Sequence, residues 1–428
     1  MKILLVIPHP GSKRSFLARF NYPSLTLKQL VAITPPGHEI DIIDERYEPI
    51  DFSKHYDLVG ISCLTYNSIR GYEVAAEFKK KGIPTVMGGY HATLMPHEAK
   101  RYVDSVVVGE GEYTWPKVVE DVGKGQLKPF YRPDKFIPPE EIPAANHDVG
   151  TYNPFSEPIQ ASRGCPTGCE FCAMNVMEGR VFRGRPVDHL IEEMKSFKTR
   201  NIFFSDASLT VNPKYSKELF KGMAELNKKS EAFANVNVVS RDDEFLNLAK
   251  EAGIYNWYVG IESISQENIN QAGKGTNKIE YYSKAIKKIR DHGMMITGFF
   301  MFGFDFDNTE TFEKTLEKIY EWGFDEVSFS VITPYPGTRL YDRFEKEGRI
   351  TCRDWSQYHE GKVNYKPTNL TERQIIDGMR MMALDFYSYP NIIKRSFSHN
   401  KLNLYRAFFK LLKNVTVRNF YLTEKLTH

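Results

Sequence analysis

Cysteine is scarce in this chain: five residues in 428, with three of them inside eight positions. An odd, clustered set is no disulfide framework, so a reducing, cytoplasmic setting is expected. No run of about 18 apolar residues occurs, which excludes a transmembrane helix of the usual kind. The opening MKILLVIPHPGSKR has only Lys2 ahead of its apolar run and no small-residue cleavage site behind it, so it reads as a first buried strand and not a signal peptide. Internal repeats and low-complexity tracts are absent too. What remains, 41% hydrophobic and 26% charged, is the composition of an ordinary soluble globular protein. The length exceeds one core, so two domains and a tail are expected.

Net charge is small, +3, but unevenly placed. From Tyr387 onward eight basic residues (Lys394, Arg395, Lys401, Arg406, Lys410, Lys413, Arg418 and Lys425) meet the single acid Glu424, a local balance of +7 that leaves the rest at −4. The asymmetry points to an anionic surface partner. Within 401–417 apolar residues recur at helical spacing (Leu404/Tyr405, Phe408/Phe409, Leu411/Leu412, Val415), with Lys and Arg between them. Residues 371–428 are therefore expected to be a helical basic region. It has three readings: a helix packed on its neighbour with snorkelling cations, a peripheral contact with an anionic membrane that gives access to a lipid substrate, or an RNA-binding patch.

Residues 1–125 alternate short apolar runs with polar helical stretches. The runs are KILLVIP, EIDIID (39–44), DLVGISCL (57–64), IPTVMGG (83–89) and DSVVVGEGE (104–112). Strands spaced by helices predict a parallel, doubly wound α/β sheet with its ligand at the carboxyl ends of the strands, after Ile7, Cys63, Met87 and Val108. Residues 126–157, rich in Pro and acids, read as a linker. Residues 158–370 start a second series: IQASR, NIFFSD (201–206), NVNVVSR (235–241), YNWYVGIES (255–263), MITGFFMFG (295–303) and VSFSVITP (327–334). Six strands with helices between them predict a full or partial (β/α) barrel with its active site at the carboxyl ends.

Just after the first of these strands stands Arg163-Gly164-Cys165-Pro166-Thr167-Gly168-Cys169-Glu170-Phe171-Cys172. Three thiolates this close can surround one metal centre. Zinc wants a fourth ligand, usually from a second Cys/His pair, and none has that spacing. A [4Fe–4S] cluster takes one thiolate per iron, so three cysteines leave one iron open. The plain alternative is a small buried cysteine cluster or a zinc site.

C-x3-C-x2-C with an aromatic before the last cysteine resembles the signature of the radical S-adenosylmethionine (SAM) superfamily. The resemblance implies a partial (β/α)6 radical SAM barrel in which the open iron chelates SAM. One electron then cleaves SAM to methionine and a 5′-deoxyadenosyl radical, and an external donor such as flavodoxin or ferredoxin supplies that electron. It also implies roles. Phe171 shelters adenine. Asp206 and Glu262, the latter in GIES (260–263), help to hold the methionine part. Ser240 and Arg241, ending the third strand, meet the carboxylate or ribose, and Gly303 in GFFMFG (298–303) lies beside adenine. For Asp206 and Glu262 the plain reading is a helix cap or dipole partner.

GGYHAT (88–93), VVVGEGEYTW (106–115), SRGCPTGCEFC, FFSDASLTVN (203–212), GIES and PYPGT (334–338) together resemble the cobalamin-binding-domain radical SAM family over roughly residues 1–370. The front domain is then Rossmann-like and cobalamin-binding, with Thr65, Gly88, Gly89, His91, Gly109, Glu110 and Gly111 lining the cofactor. For the glycines, tight turning alone is the plain reading. The D-x-H-x-x-G sequence that supplies a lower cobalt ligand elsewhere is absent, and His9 in Pro8-His9-Pro10-Gly11 reads as a loop residue. No lower ligand is assigned. The resemblance implies C-methylation or related C–H functionalisation of a small or lipid-like substrate. The alternatives are a radical SAM enzyme without cobalamin (ring formation, rearrangement or C–C bond formation) and, more distantly, a non-catalytic corrinoid or Fe–S carrier. No nucleic acid partner is expected. Methylthiotransferase relatives that modify tRNA carry three further cysteines in front and a β-domain behind, whereas here Cys63 and Cys352 each stand alone.

Overall fold

The computed structural model describes residues 1–11, 24–150, 155–275, 277–397 and 404–421. The front sheet comprises β1 (Lys2–Ile7), β2 (Glu39–Asp44), β3 (Leu58–Ser62), β4 (Thr85–Gly88), β5 (Ser105–Val107) and β6 (Phe130–Tyr131), all parallel, in the order β2-β1-β3-β4-β5-β6. Alternation along β1 explains its double burial. Leu4 and Val6 join one helical layer with Val59, Ile61 and Phe78, while Ile3 and Leu5 join the other with Leu58, Val86 and Trp115. Each such side chain contributes roughly 1.5–3 kcal/mol. The strand order reverses between β1 and β3, which places the ligand crevice of such sheets at their carboxyl ends. One expectation changes here. Residues 126–157 are not all linker, since Phe130–Tyr131 extends the sheet beside β5.

The second sheet is also parallel and follows the order β14-β13-β12-β11-β10-β7. Its strands are β7 (Glu157–Ile159), β10 (Asn201–Phe204), β11 (Lys229–Ala234), β12 (Ile254–Glu262), β13 (Met295–Phe302) and β14 (Glu326–Val331). A two-stranded antiparallel ribbon, β8 (Ser162–Arg163) with β9 (Arg183–Gly184), follows β7. The six expected strands are present, but the third is displaced. NVNVVSR is not a strand: β11 ends at Ala234 and Val236–Val239 forms a helical turn. Val236 and Val239, three apart, both bury, as a helical turn demands. Ser240 and Arg241 therefore follow that turn and end no strand. The true strand, KSEAFA, buries small Ala232 and Ala234 outward and turns Glu231 and Phe233 inward, a weak β signal.

The barrel interior is layered. At its base, Glu231 accepts from Asn256 (3.2 Å), Asn256 meets Thr297 (3.2 Å), and Thr297 donates to Glu326 (3.2 Å). Above them Phe203, Phe233, Tyr258 and Phe299 contact one another, with centroids 5.3–6.1 Å apart. The C-terminal helix Leu404–Phe420 closes this base. Its Lys413 reaches Glu231 (3.0 Å) and Glu326 (3.1 Å), and Lys410 pairs with Asp325. The edge of β14 is covered too: the Tyr387 hydroxyl accepts from Val327 N–H (3.1 Å) and donates to its carbonyl (2.6 Å), and the Tyr421 hydroxyl accepts from Phe329 N–H (2.7 Å).

Four of the tail's eight cations thus have partners within the protein, since Arg395 stacks on Phe386 (3.6 Å) and Arg418 on Tyr389 (4.4 Å). Lys401 and Lys425 lie outside the described residues. No described helix is long and apolar enough to cross a membrane.

A buried ionic chain fixes the front domain to the barrel. Lys28 pairs with Glu157 (2.9 Å), Glu157 with His147 (3.0 Å), His147 with Glu193 (2.9 Å) and Glu193 with Arg185 (2.6 Å). Burial pulls the His147 pKa down, but its hydrogen bonds to Glu157 and Glu193 outweigh that and leave it raised. The protonated imidazole therefore stabilises the fold fully below its ordinary pKa of about 6.5, and that contribution is lost as pH rises through the higher folded value. Thermal unfolding should show Tm falling from pH 6.5 upward, and H147Q should lose stability at pH 6 but little at pH 9. An equal loss at both pH values would contradict the assignment.

Candidate active site

The cysteine segment leaves the ribbon at Arg163 and returns at Arg183, so residues 164–182 form one loop following β7. Asp206, ending the segment after β10, holds the loop's approach: its carboxylate accepts from Ala161 N–H (2.9 Å), Ser162 N–H (2.5 Å) and Ser162 Oγ (2.6 Å). Burial raises its pKa to about 6 against those bonds. Glu170, between the second and third cysteines, accepts from Arg343 (2.7 and 3.3 Å) and ties the loop to the helix Arg339–Lys346.

Cys165, Cys169 and Cys172 are all free and half-buried. Cys165 N–H donates to the Gly179 carbonyl (3.2 Å) and Cys172 N–H to the Cys169 carbonyl (3.2 Å), while Arg339 and Arg180 donate to the Gly168 and Pro166 carbonyls between the first two cysteines. Burial pushes the Cys169 thiol up to about 12, opposed by the Lys274 ammonium, and pushes Cys172 up as well. Such thiols keep their protons until a metal centre displaces them. Among the described residues no three His, Cys, Asp or Glu side chains gather as one ion would require. Thiols spread round a loop do fit a [4Fe–4S] cluster, which takes one per iron and here leaves one iron without a protein thiolate.

The other SAM candidates fall into two groups. Glu262 and Phe171 lie by the cysteine loop. Glu262 ends β12 in a left-handed conformation (φ +64°), at a break in register with β13, and its carboxylate pairs with Lys274 (2.6 Å). Lys274 also donates to the Gly260 carbonyl (3.1 Å). Phe171 packs on the barrel core. Ser240 is buried beyond the helical turn, and Arg241 is exposed over the Tyr281 ring (4.8 Å). Gly303 (φ +94°) leaves no room for a Cβ because the Tyr365 hydroxyl, donating to its carbonyl (2.6 Å), occupies that space. An internal contact thus accounts for this glycine without a ligand.

Lys274 escaped sequence reasoning because Gly-Lys-Gly reads as a surface turn. Tyr90 also escaped, though it stands inside GGYHAT. Burial raises the pKa of this half-buried phenol of the front domain, with smaller effects from the Glu178, Cys172 and Arg163 charges, and no described residue hydrogen-bonds its hydroxyl. The helix Tyr90–Leu94 packs on Met174–Met177, just beyond the last cysteine, with Thr93 Oγ1 3.4 Å from Met177 Sδ.

The corrinoid candidates all cluster at the carboxyl end of the front sheet, but several face inward. Thr65 is buried, with its carbonyl accepting from Ser68 Oγ (2.8 Å). Gly88 ends β4, and Gly89 (φ +90°) must be glycine because a Cβ would lie 2.7 Å from the Cys63 carbonyl. Gly109 N–H donates to Thr93 Oγ1 (2.9 Å), and the Gly111 carbonyl accepts from Trp115 N–H (2.8 Å). Two expectations are corrected. His91 has no exposed surface and cannot line an open site; its ring meets Tyr72 Oη (2.8 Å) and packs near Trp355. Glu110 turns away from the crevice into ion pairs with Arg163 and Arg183, because two guanidinium groups of the barrel need a buried counter-charge. The backbone of the loops after β3, β4 and β5 remains as the cradle a corrinoid would use.

Comparison with known proteins agrees with this architecture. Residues 159–319 match the radical SAM superfamily, 18–119 the B12 binding domain, and 338–421 a domain of unknown function (DUF4070). The chain is 32% identical to bacteriochlorophyllide d C-8(2)-methyltransferase of Chlorobaculum tepidum over 78% of its length and 79% of the relative's. It is 28% identical to the same organism's bacteriochlorophyllide d C-12(1)-methyltransferase over 92% and 89%. Its fold matches the methyltransferase TsrM of Kitasatospora setae, solved with cobalamin and a [4Fe–4S] cluster, with a TM-score of 0.72 at 14% identity over 97% and 99% of the chains. The domain pair carries three cofactors: a [4Fe–4S] cluster and SAM in the barrel, and cobalamin in the front domain. With its cysteine loop, barrel and B12-binding sheet all in place, this chain belongs to the cobalamin-dependent radical SAM methyltransferase family.

Proposed function

We propose that this enzyme methylates an unactivated carbon of a small, largely apolar molecule held between the two domains. The observation that carries the reading is the packing of the helix Tyr90–Leu94, at the carboxyl end of the front sheet, on Met174–Met177 of the cysteine loop, with Thr93 Oγ1 3.4 Å from Met177 Sδ. Methyl transfer between two cofactors needs both at one cleft.

When bound, SAM at the cluster supplies a carbon-centred radical and cobalamin supplies a methyl group. The chain's own residues do the rest. Cys165, Cys169 and Cys172 hold the cluster, and Asp206 fixes the strand that delivers them. Glu262 and Lys274 put a balanced charge pair beside Cys169, where polar ends of SAM can be met. Tyr90 offers an unengaged hydroxyl to whatever enters the cleft. The half-buried rings of Phe233 and Phe299 give the barrel an apolar floor that excludes water from a radical. That floor, with relatives that methylate bacteriochlorophyllide d, supports a hydrophobic substrate, tetrapyrrole-like or lipid-like, over a polar metabolite.

The test incubates anaerobically reconstituted enzyme with methyl-deuterated SAM, a reductant, and tetrapyrrole or lipid extracts. Equal amounts of 5′-deoxyadenosine and S-adenosylhomocysteine, with label in one product, are expected. 5′-Deoxyadenosine without S-adenosylhomocysteine would point instead to radical chemistry without methyl transfer.

A further inference from the structure

The loop Gly109-Glu110-Gly111-Glu112 carries two carboxylates that are engaged by arginines of the barrel. Glu110 is 5% exposed. Its Oε1 accepts from Arg163 Nη1 (3.1 Å) and Arg183 Nη2 (2.6 Å), and its Oε2 from Arg183 Nη1 (3.2 Å) and Ile137 N–H (2.9 Å). Glu112 accepts from Arg163 Nη2 (2.6 Å).

The two arginines are not scattered partners. They face each other in register across β8 and β9. Arg163 is the last residue before Gly164-Cys165, and Arg183 is where the cysteine loop returns. One front-domain carboxylate therefore grips both feet of the loop that carries all three cysteines, and a second carboxylate locks one foot. The feet have other ties: on the barrel side Arg163 Nε donates to Gln160 Oε1 (2.9 Å) and Arg183 to the Glu178 carbonyl (2.9 Å), while in the segment that joins the domains Arg183 donates to the Ile137 carbonyl (2.8 Å) and stacks on Phe136 (4.7 Å). Two cations and two anions balance within the clasp itself; the buried Glu178 carboxylate beside it accepts from Gly164 N–H (3.2 Å) and Gln160 Nε2 (3.0 Å).

Charge-assisted, forked Arg–carboxylate bonds fix orientation as well as distance. A hydrophobic contact would have joined the domains without setting an angle. We infer that Glu110 and Glu112 are positioning residues for the iron–sulfur centre: the front domain clamps the base of the cysteine loop, so that the cluster stands at one distance and orientation from the front domain's cofactor. The corrinoid half of this statement rests on the proposed function; the clamping of the loop does not.

The experiment uses the full-length protein reconstituted with iron, sulfide and hydroxocobalamin, as wild type, E110Q and, as the milder variant, E112Q. Two readouts apply. The first is the magnetic coupling between reduced cluster and cob(II)alamin in EPR spectra. The second is amide hydrogen exchange across residues 164–182, which needs no cobalamin. In both variants the discrete wild-type coupling should broaden or vanish while iron content persists. Exchange in 164–182 should rise by about tenfold or more, the change expected when a charge-assisted hydrogen bond leaves a local opening equilibrium. If E110Q fails to hold iron, E112Q decides. Wild-type coupling with unchanged loop exchange, even at a lowered Tm, would overturn the inference and leave Glu110 a merely structural pair. If wild-type protein holds no cobalamin, the functional reading fails, and loop exchange alone decides the clamp.

Discussion

Replacing Cys169 with alanine is expected to abolish cluster content and reductive SAM cleavage together. Three thiolates for four irons is already the minimum that leaves one iron for SAM, and two cannot hold the centre against solvent and reductant. The substitution is also clean. The turn around Cys169 is made by backbone, Cys172 N–H on the Cys169 carbonyl (3.2 Å), and alanine keeps that bond. The domain clasp and Asp206 lie outside the change. Folding and Tm of the metal-free protein should therefore stay near wild type, while iron, sulfide and 5′-deoxyadenosine fall to background. C352A should leave all three unchanged, since Cys352 follows the last barrel strand, its thiol meets the Asp354 carbonyl (3.9 Å), and the bond from Tyr358 Oη (2.6 Å) is to its backbone carbonyl, which alanine keeps. SAM cleavage surviving in C169A would contradict the assigned cluster site.

Replacing Lys413 with methionine is expected to destabilise the fold by about 3 kcal/mol, the low end of the penalty for stripping one partner from a buried ion pair, because the Lys413 side chain is itself 23% exposed. Methionine keeps much of the side chain's bulk but leaves Glu231 and Glu326 facing each other without a cation. Their side chains are 12% and 4% exposed, so water does not replace the ammonium. Burial already raises the Glu326 pKa, with the Lys413 ammonium opposing that rise. Without the cation, one carboxylate can escape only by taking up a proton. The loss measured by thermal or urea unfolding should therefore be larger at pH 8 than at pH 5. A loss independent of pH would mean that the helix closes the barrel through packing alone. This role gives DUF4070 a physical content: it closes the base of the barrel beneath the aromatic layer and covers the edge of β14.

The reach of the sequence follows from how local each signal is. The cysteine spacing and the apolar runs of β1, β3, β12, β13 and β14 are local, so the three-cysteine loop after the first barrel strand and most strands were legible. β11 was not, because half of its inward and outward positions are Ala and Glu, while NVNVVSR shows a more strand-like alternation than KSEAFA. The basic tail was legible as helix. Its direction was not: nothing near Lys413 announces Glu231, 182 positions earlier. Glu110 failed for the same reason. Beside two glycines at a strand end it resembles a ligand loop, and only the fold brings Arg163 and Arg183 to it. His91 was misplaced because a histidine in a glycine-led loop reads as exposed, whereas Gly89 lets the chain press on Cys63 and carries His91 into the core.

The most direct test of two cofactors at one cleft is the cofactor content of protein purified anaerobically, reconstituted with iron, sulfide and hydroxocobalamin, and desalted. The account predicts iron at about four per chain, as one [4Fe–4S] cluster requires, with an equimolar amount of tightly held corrinoid in the ultraviolet–visible spectrum. Full iron with the corrinoid lost on desalting would contradict it, leaving a radical SAM barrel whose front domain serves another purpose.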